Sequence, residues 1–478
     1  MRKKNRILMS DSYKMSHPGQ YPKGAQTVYS YLESRGGIFK EVYVALIDYY
    51  MKEYFEGEQI EQWMIDDADE FVTEHMGPGM FNRADWQYIL DTYGGRIPLE
   101  IMAAPEGSVV PAKNVLLTMF NTDKRVPFLT NWAETVISRL WAPFTVASNS
   151  WDIRQYLKSK LIEAGDSVDG LDFMLHDFGA RGVSSAETAE ILGAAHLATG
   201  FKGSDNMEAI QLVKAIYGER MAAYSVAASE HSTVTSWGRE NEEASIENMF
   251  NTYKTGIVSM VGDSYDIENF TRLIGTKFKH RVVERDGVTV VRPDSQDPRI
   301  LLPKLLNSLW SNFHGHYTDN GYKVLNPKVR ILQGDGIDRE SIREIVDVIM
   351  DAGYSPSNVL FGSGGGLLQK FDRDTNKFAI KCSAIEIKIE ESRGSGTFWR
   401  DVYKDPMGES MKKSKKGKMV LHKTGGVYMT ITHSENDLYN QYHDELQLVF
   451  RNGVVFNSPT FVEIRGRSEQ YKSNMVFA

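Results

Sequence analysis

The chain has 478 residues, 41% of them hydrophobic and 25% charged, the balance of an ordinary globular protein with room for two or three cored domains. A formal net charge of −8 argues against a general nucleic-acid or membrane-surface binder, and no run of ~18 apolar residues suggests a membrane span. The one cysteine, Cys382, excludes an internal disulfide and thiolate zinc chemistry, and "MRKKNRILMSDSYK" lacks the apolar core of a secretory signal, so a cytoplasmic protein is expected.

Residues 1–150 mix helical stretches such as "YVALIDYYMKEYFEG" with strand-like pieces such as "VVPAKNVLLTMFNT". The middle of the chain changes character. Seven short β-rich runs there end in polar residues, most leading into a helical pattern: "FMLHDFGARG", "TGFKGSDN", "AYSVAASEHS", "IVSMVGDSYD", "TVVRPDSQDP", "VRILQGDGID" and "NVLFGSGGG". Ser184 and Ser185 start the helix "SSAETAEILGAAHLATG", and Asp205 is expected to begin "DNMEAIQLVKAIYG". Asp338 caps "RESIREIVDVIMDAG", with Ile342, Ile345, Val346 and Ile349 on one face and Gly353 at its end. From about residue 383 strands return, "KMVLHKTGG" and "GVYMTITHS" among them, with the basic loop "MKKSKKGK" read as a solvated surface.

Alternating strands and helices imply parallel strands with right-handed crossovers, and this many suggest closure. The expected fold is therefore α/β, an irregular (β/α) barrel of about seven parallel strands over 151–382. A mixed α+β domain is expected from both chain ends, 1–150 together with 383–478.

Loops after the strands of such a barrel share one mouth. The spacing predicts His176, Asp177, Phe178, Arg181, Asp205, His231, Asp263, Arg292, Asp294, Asp335 and the glycines of "FGSGGGLLQK" around one rim. The glycine run fits neither the G-x-x-x-x-G-K-[ST] nor the G-x-G-x-x-G pattern, so alone it is either a tight turn or a phosphate cradle. His231 after Glu230 reads as a base, a nucleophile toward phosphorus or a structural histidine, and Asp263 and Asp294 can orient an imidazole, stabilise a cation or hold magnesium through water. Arginine forks and backbone amides suit phosphate. With Phe178 among them, a phosphorylated sugar meeting a flat ring fits better than peptide or glycan chemistry. "HGH" at 314–316 reads as a loop and Cys382 as a packed thiol.

Together, "DSYKMSHPGQYPKGAQTVYSYLESR", "LTNW", "HDFGARGVSS", "FKGSD", "EHST", "DSYDI", "RPDS", "QGDG", "FGSGGGLLQK" and "KDP" resemble, in order and spacing over nearly the whole chain, the nicotinamide phosphoribosyltransferases of the type II nicotinate/nicotinamide phosphoribosyltransferase family. The resemblance implies transfer of the phosphoribosyl group of phosphoribosyl pyrophosphate to nicotinamide, by a cytosolic homodimer with active sites shared between subunits. It further implies that Phe178 and the other subunit's copy of Tyr13 sandwich the pyridine ring, and that Asp205 accepts from the carboxamide. Arg181 and Arg292 would contact substrate, with Asp335, Gly364 and Gly365 along the ribose phosphate. Arg35, Arg373, Lys381, Lys404 and Lys412 would face pyrophosphate or nucleotide phosphates. ATP would phosphorylate His231, with Asp263 and Asp294 nearby, and magnesium would arrive with pyrophosphate. Two departures stand out: Ala379 replaces a serine of vertebrate members near the phosphates, and residues 386–400 are longer than their counterpart. The alternatives are a nicotinate phosphoribosyltransferase and a non-catalytic nucleotide-sensing relative. Asp205 argues against the first, since a carboxylate facing nicotinate's own would bring like charges together.

Overall fold

The computed structural model describes residues 4–391, 394–405, 414–433 and 442–470. The chain forms two compact units. One comprises Met1–Ser148, Ile216–Gly218 and Phe371–Ala478, the other Asn149–Ala215 and Glu219–Lys370.

Seven strands build the second unit: β1 (Leu175–Asp177), β2 (Gly203–Ser204), β3 (Ala227–Ala228), β4 (Thr255–Val261), β5 (Asp286–Arg292), β6 (Val329–Gln333) and β7 (Val359–Ser363). Each overlaps one of the seven runs read from the sequence, β4 and β5 starting two and three residues before theirs. All neighbours pair in parallel, in the order β2-β1-β7-β6-β5-β4-β3. Gly203 of β2 also makes an isolated parallel bridge to Tyr224, three residues before β3. This is the irregular barrel expected from strand and helix alternation.

The outer helices hold the sheet by their apolar faces. Helix α1 (Ala186–Ala198) is capped by Ser185, and α2 (Met207–Tyr217) follows β2. After β3 comes the short α3 (His231–Thr235), then α4 (Glu242–Thr252). Helix α5 (Ile267–Gly275) buries Ile267, Phe270, Leu273 and Ile274, and α6 (Pro298–Phe313) packs beside it with Leu301, Leu302, Leu305, Leu306 and Leu309 inside. Each such side chain contributes about 1.5–3 kcal/mol by leaving water. Helix α7 (Arg339–Asp351) starts as expected at Asp338, whose carboxylate accepts from the Ser341 N–H at 3.0 Å, a cap worth ~1 kcal/mol.

The first unit carries a seven-stranded antiparallel sheet drawn from both ends of the chain. An inner strand, Ala25–Ser34, lies between Phe378–Glu391 and Val115–Asn121, placing Tyr31 opposite Lys381 and Glu33 opposite Ala379. Phe378–Glu391 pairs in turn with the edge strand Gly394–Asp401, Ile387 opposite Phe398. Among the described residues no helix is long and apolar enough to cross a membrane.

Candidate active site

Phe178 leaves β1 and folds back over β7. Its N–H donates to the Ser363 carbonyl at 2.9 Å, and its ring lies where a Cβ on Gly362 would stand only 2.0 Å from Cε2. Gly334, on the loop after β6, faces the same spot: a Cβ there would meet Asp294 Oδ1 at 3.2 Å and Phe178 Cε2 at 3.9 Å. Phe178, Asp294 and the loops after β6 and β7 thus converge at the barrel mouth. Arg181 is exposed in the turn Ala180–Gly182, which packs on the glycine run, since a Cβ on Gly182 would lie 3.0 Å from the Gly365 nitrogen. Asp335 is exposed on the loop after β6.

His176 and Asp177, expected on the rim, instead lie beneath it, because both belong to β1 itself. Burial pushes the His176 imidazole below its ordinary range. Burial raises the Asp177 carboxyl to about 6, although it accepts from the Gly179 N–H and the Asn206 amide. Asp177 therefore fixes the turn that carries Phe178, a role sequence reasoning missed. The available signal was an acid closing a short strand ahead of an apolar ring, a carboxylate that must find donors if it is buried.

Asp205 does not begin α2. Asn206 takes that place, its Oδ1 accepting from the Ala209 N–H at 3.2 Å while its amide donates to Asp177 and to the Ala189 carbonyl. Local capping preference cannot choose between adjacent Asp and Asn, and the buried Asp177 decides it. Asp205 stays exposed at the mouth, accepting a close hydrogen bond from the Ser225 hydroxyl.

His231 opens α3, held by a capping box between Glu230 and Thr233. Its Nε2 lies 2.8 Å from Asp263 Oδ1; the imidazole is 49% exposed and the carboxylate 5%. In the tautomer whose Nε2 donates to the carboxylate, Nδ1 is left as the acceptor nitrogen. Arg292, at the end of β5, reaches Asp294 Oδ2 through Nη2 at 3.3 Å and the Ser229 carbonyl through Nη1 at 3.1 Å.

The glycine run divides by role. Gly362 yields to the Phe178 ring, and Gly366 to the Ile337 carbonyl, which a Cβ would approach to 2.6 Å. At Gly364 and Gly365 the nearest atoms would be 3.7 and 3.6 Å away, so packing does not dictate glycine there.

In the first unit, Tyr13, Arg35, Arg373 and Lys381 line one cavity of about 700 Å³, together with Lys14, Lys377 and Ala379. Burial lowers the Lys381 amine, and the positive charges of Arg35, Lys404 and Arg373 push it the same way, against the pull of Glu134. Arg35, Arg373 and Lys404 thus lie close enough to Lys381 to disfavour its charge, an arrangement a polyanion relieves. Tyr13 is 59% exposed. Lys412 lies outside the described residues.

Comparison with known proteins now places this architecture. Residues 173–453 match the model of the nicotinate phosphoribosyltransferase family. The chain belongs to that family. It is a family of pentosyltransferases, and residues 5–101 further match the N-terminal domain of nicotinamide phosphoribosyltransferase. A protein of Xanthomonas campestris pv. campestris named nicotinamide phosphoribosyltransferase is 40% identical over 97% of this chain and 98% of its own length. One of Acinetobacter baylyi with the same name is 30% identical over 98% and 97%. The fold is shared with a nicotinate-nucleotide pyrophosphorylase from Pyrococcus furiosus, TM-score 0.58 at 15% identity, covering 98% of this chain and 96% of that one. It is also shared with human nicotinic acid phosphoribosyltransferase, TM-score 0.52 at 14% identity, covering 97% and 93%.

Proposed function

We propose that this family member is a nicotinamide phosphoribosyltransferase, moving the phosphoribosyl group of phosphoribosyl pyrophosphate onto the pyridine nitrogen of nicotinamide and releasing pyrophosphate, a cytoplasmic step of NAD salvage. The observation that carries the choice of base is Asp205: a carboxylate at the mouth, steadied by Ser225, that can accept from a carboxamide but repels a carboxylate. The match of residues 5–101 to the nicotinamide enzymes' N-terminal domain supports the same choice.

Each residue group then has a physical task. Phe178 offers one face to the pyridine ring, and alignment of its nitrogen with C1 of the ribose is a positioning effect. Tyr13, exposed in the other unit, is suited to cover the opposite face when supplied by a second copy of the chain, which makes a homodimer part of the proposal. Loss of pyrophosphate builds positive charge on the sugar, which Asp263 and Asp294 stabilise, while Arg181, Arg292 and Asp335 line the substrate's path. Gly364 and Gly365 leave space for the backbone to approach the ribose phosphate. Arg35, Arg373, Lys381, Lys404 and Lys412 hold phosphates. Asp294 and Asp335 are oxygen donors of the kind magnesium takes through water, and the ion, carried by pyrophosphate, would neutralise the leaving group's charge.

The deciding assay offers nicotinamide and nicotinate side by side with phosphoribosyl pyrophosphate and magnesium. Nicotinamide mononucleotide is the expected main product; preferential turnover of nicotinate, or none of either base, overturns the proposal.

We assign ATP coupling to His231, whose half-exposed imidazole and Asp263 partner suit a phosphoryl acceptor. His231→Ala is expected to abolish stimulation by ATP and phosphate labelling from ATP while leaving basal transfer measurable. Equal stimulation in wild type and variant removes His231 from that role.

A further inference from the structure

The carbonyl that receives Arg292 is available because a side chain has taken its place in the sheet. Strands β3 and β4 run parallel, Ala227 opposite Val258 and Ala228 opposite Ser259. One residue further the ladder continues in the ordinary way, with the Ser229 N–H donating to the Ser259 carbonyl at 2.9 Å. In a regular parallel ladder the return bond runs from the Val261 N–H to the Ser229 carbonyl. Here the Val261 N–H donates instead to the Ser229 hydroxyl, at 2.9 Å. The carbonyl so released accepts from Arg292 Nη1 at 3.1 Å.

Ser229 is 5% exposed and sits two residues before His231. The residue its hydroxyl holds, Val261, lies opposite Arg292 in the β4–β5 register and leads through Gly262 into Asp263. The Gly262 N–H donates to the Arg292 carbonyl at 3.0 Å. One hydroxyl thus joins β3 to β4 at the level where His231, Asp263 and Arg292 emerge, and lets the main chain leave the sheet toward α3.

We infer that Ser229 is a positioning residue: its hydroxyl substitutes for its own carbonyl in the β3–β4 ladder, so that the carbonyl aims the Arg292 guanidinium into the barrel mouth and the chain beyond presents His231 to Asp263. The inference rests on the proposed function only in taking Arg292 to meet substrate. Without the hydroxyl, the Val261 N–H is left unpaired unless it reclaims the Ser229 carbonyl, and the buried donor's need for a partner drives that return, which takes the oxygen from the guanidinium.

Ser229→Ala is expected to lower kcat/KM about 10-fold, the loss of one hydrogen bond to a charged group. Ser229→Thr keeps the hydroxyl, and a neighbouring cavity of about 200 Å³, lined by Ser229, Val234, Met260 and Phe270, has room for the extra methyl. It is expected to restore activity to within a few-fold. In an Arg292→Lys background, Ser229→Ala should cost little more, because the two act as one unit. Multiplicative losses in the double variant, or wild-type kinetics in Ser229→Ala, overturn the inference. A crystal structure of Ser229→Ala reads the same geometry without turnover: the guanidinium is expected to leave the Ser229 carbonyl, and an unmoved Arg292 sinks the inference even if the wild type transfers to neither base. Inactivity of the wild type would instead count against the proposed reaction.

Discussion

Replacing Gly362 by alanine is expected to lower kcat/KM for nicotinamide by about 100-fold or more while leaving most of the folding stability intact. A Cβ at this position would stand 2.0 Å from Phe178 Cε2, 2.4 Å from Cδ2 and 2.9 Å from Cζ, distances no real carbon pair keeps. Gly362 cannot retreat easily, because β7 is paired on both sides, to β1 and to β6. The ring therefore moves. It is tethered by its backbone N–H to Ser363, so it swings rather than leaves, and the face offered to the pyridine tilts. Overpacking of this kind costs about 1–3 kcal/mol, which the buried sheet can absorb, whereas a misplacement of ~1 Å at the reacting centre is felt at ~100-fold in rate. Product formation and Tm measured together separate the effects. The double variant Gly362→Ala with Phe178→Ala removes the clash and should recover Tm but not activity. Near-wild-type kinetics in Gly362→Ala alone would show that the Phe178 ring does not hold the base.

That glycine also shows where sequence reading stops. The run "FGSGGGLLQK" announces close backbone approach, and by itself leaves open whether a tight turn or a phosphate requires it. Gly362 answers instead to a side chain more than a hundred residues away, a contact no local pattern encodes. The seven barrel strands were legible because each apolar run ends at polar residues, even where β2 and β3 shrink to two residues. What local pattern could not supply was the depth of neighbouring side chains. His176 and Asp177 sink below the rim while Phe178, the next residue, stays on it, because the strand ends between them. Asn206 displaces Asp205 at the start of α2 for a similar reason, since Asp177 needs an amide donor that only the tertiary fold identifies. Ser229 carried no signal at all: a serine among small residues gains meaning only once the Val261 N–H is found on its hydroxyl and the Arg292 guanidinium on its carbonyl. In the other unit, Val115–Asn121 was legible within "VVPAKNVLLTMFNT", but its neighbour Ala25–Ser34 was not, and the interleaved strand order follows from pairing over hundreds of residues.

Asp205→Asn is expected to shift the ratio of nicotinamide to nicotinate use by about 100-fold toward nicotinate. Two unit charges ~4 Å apart interact by about 4 kcal/mol at the effective dielectric of a protein surface, and residual water at the mouth reduces that, leaving a factor on the order of 100. Asparagine keeps the shape of the side chain and removes the charge. Ser225 then decides its orientation: the hydroxyl that donates to Asp205 Oδ1 continues to donate to the asparagine oxygen, which turns the new NH₂ toward the base. A nicotinate carboxylate can accept from that group. Nicotinamide meets it donor to donor unless its carboxamide flips, so its own kcat/KM should fall by about 10-fold, the value of one lost charge-assisted hydrogen bond. Steady-state kinetics with both bases, at fixed phosphoribosyl pyrophosphate, read both changes in one experiment. An unchanged ratio would mean that the Asp205 carboxylate does not face the ring substituent, and the choice of nicotinamide over nicotinate would then need another residue to carry it.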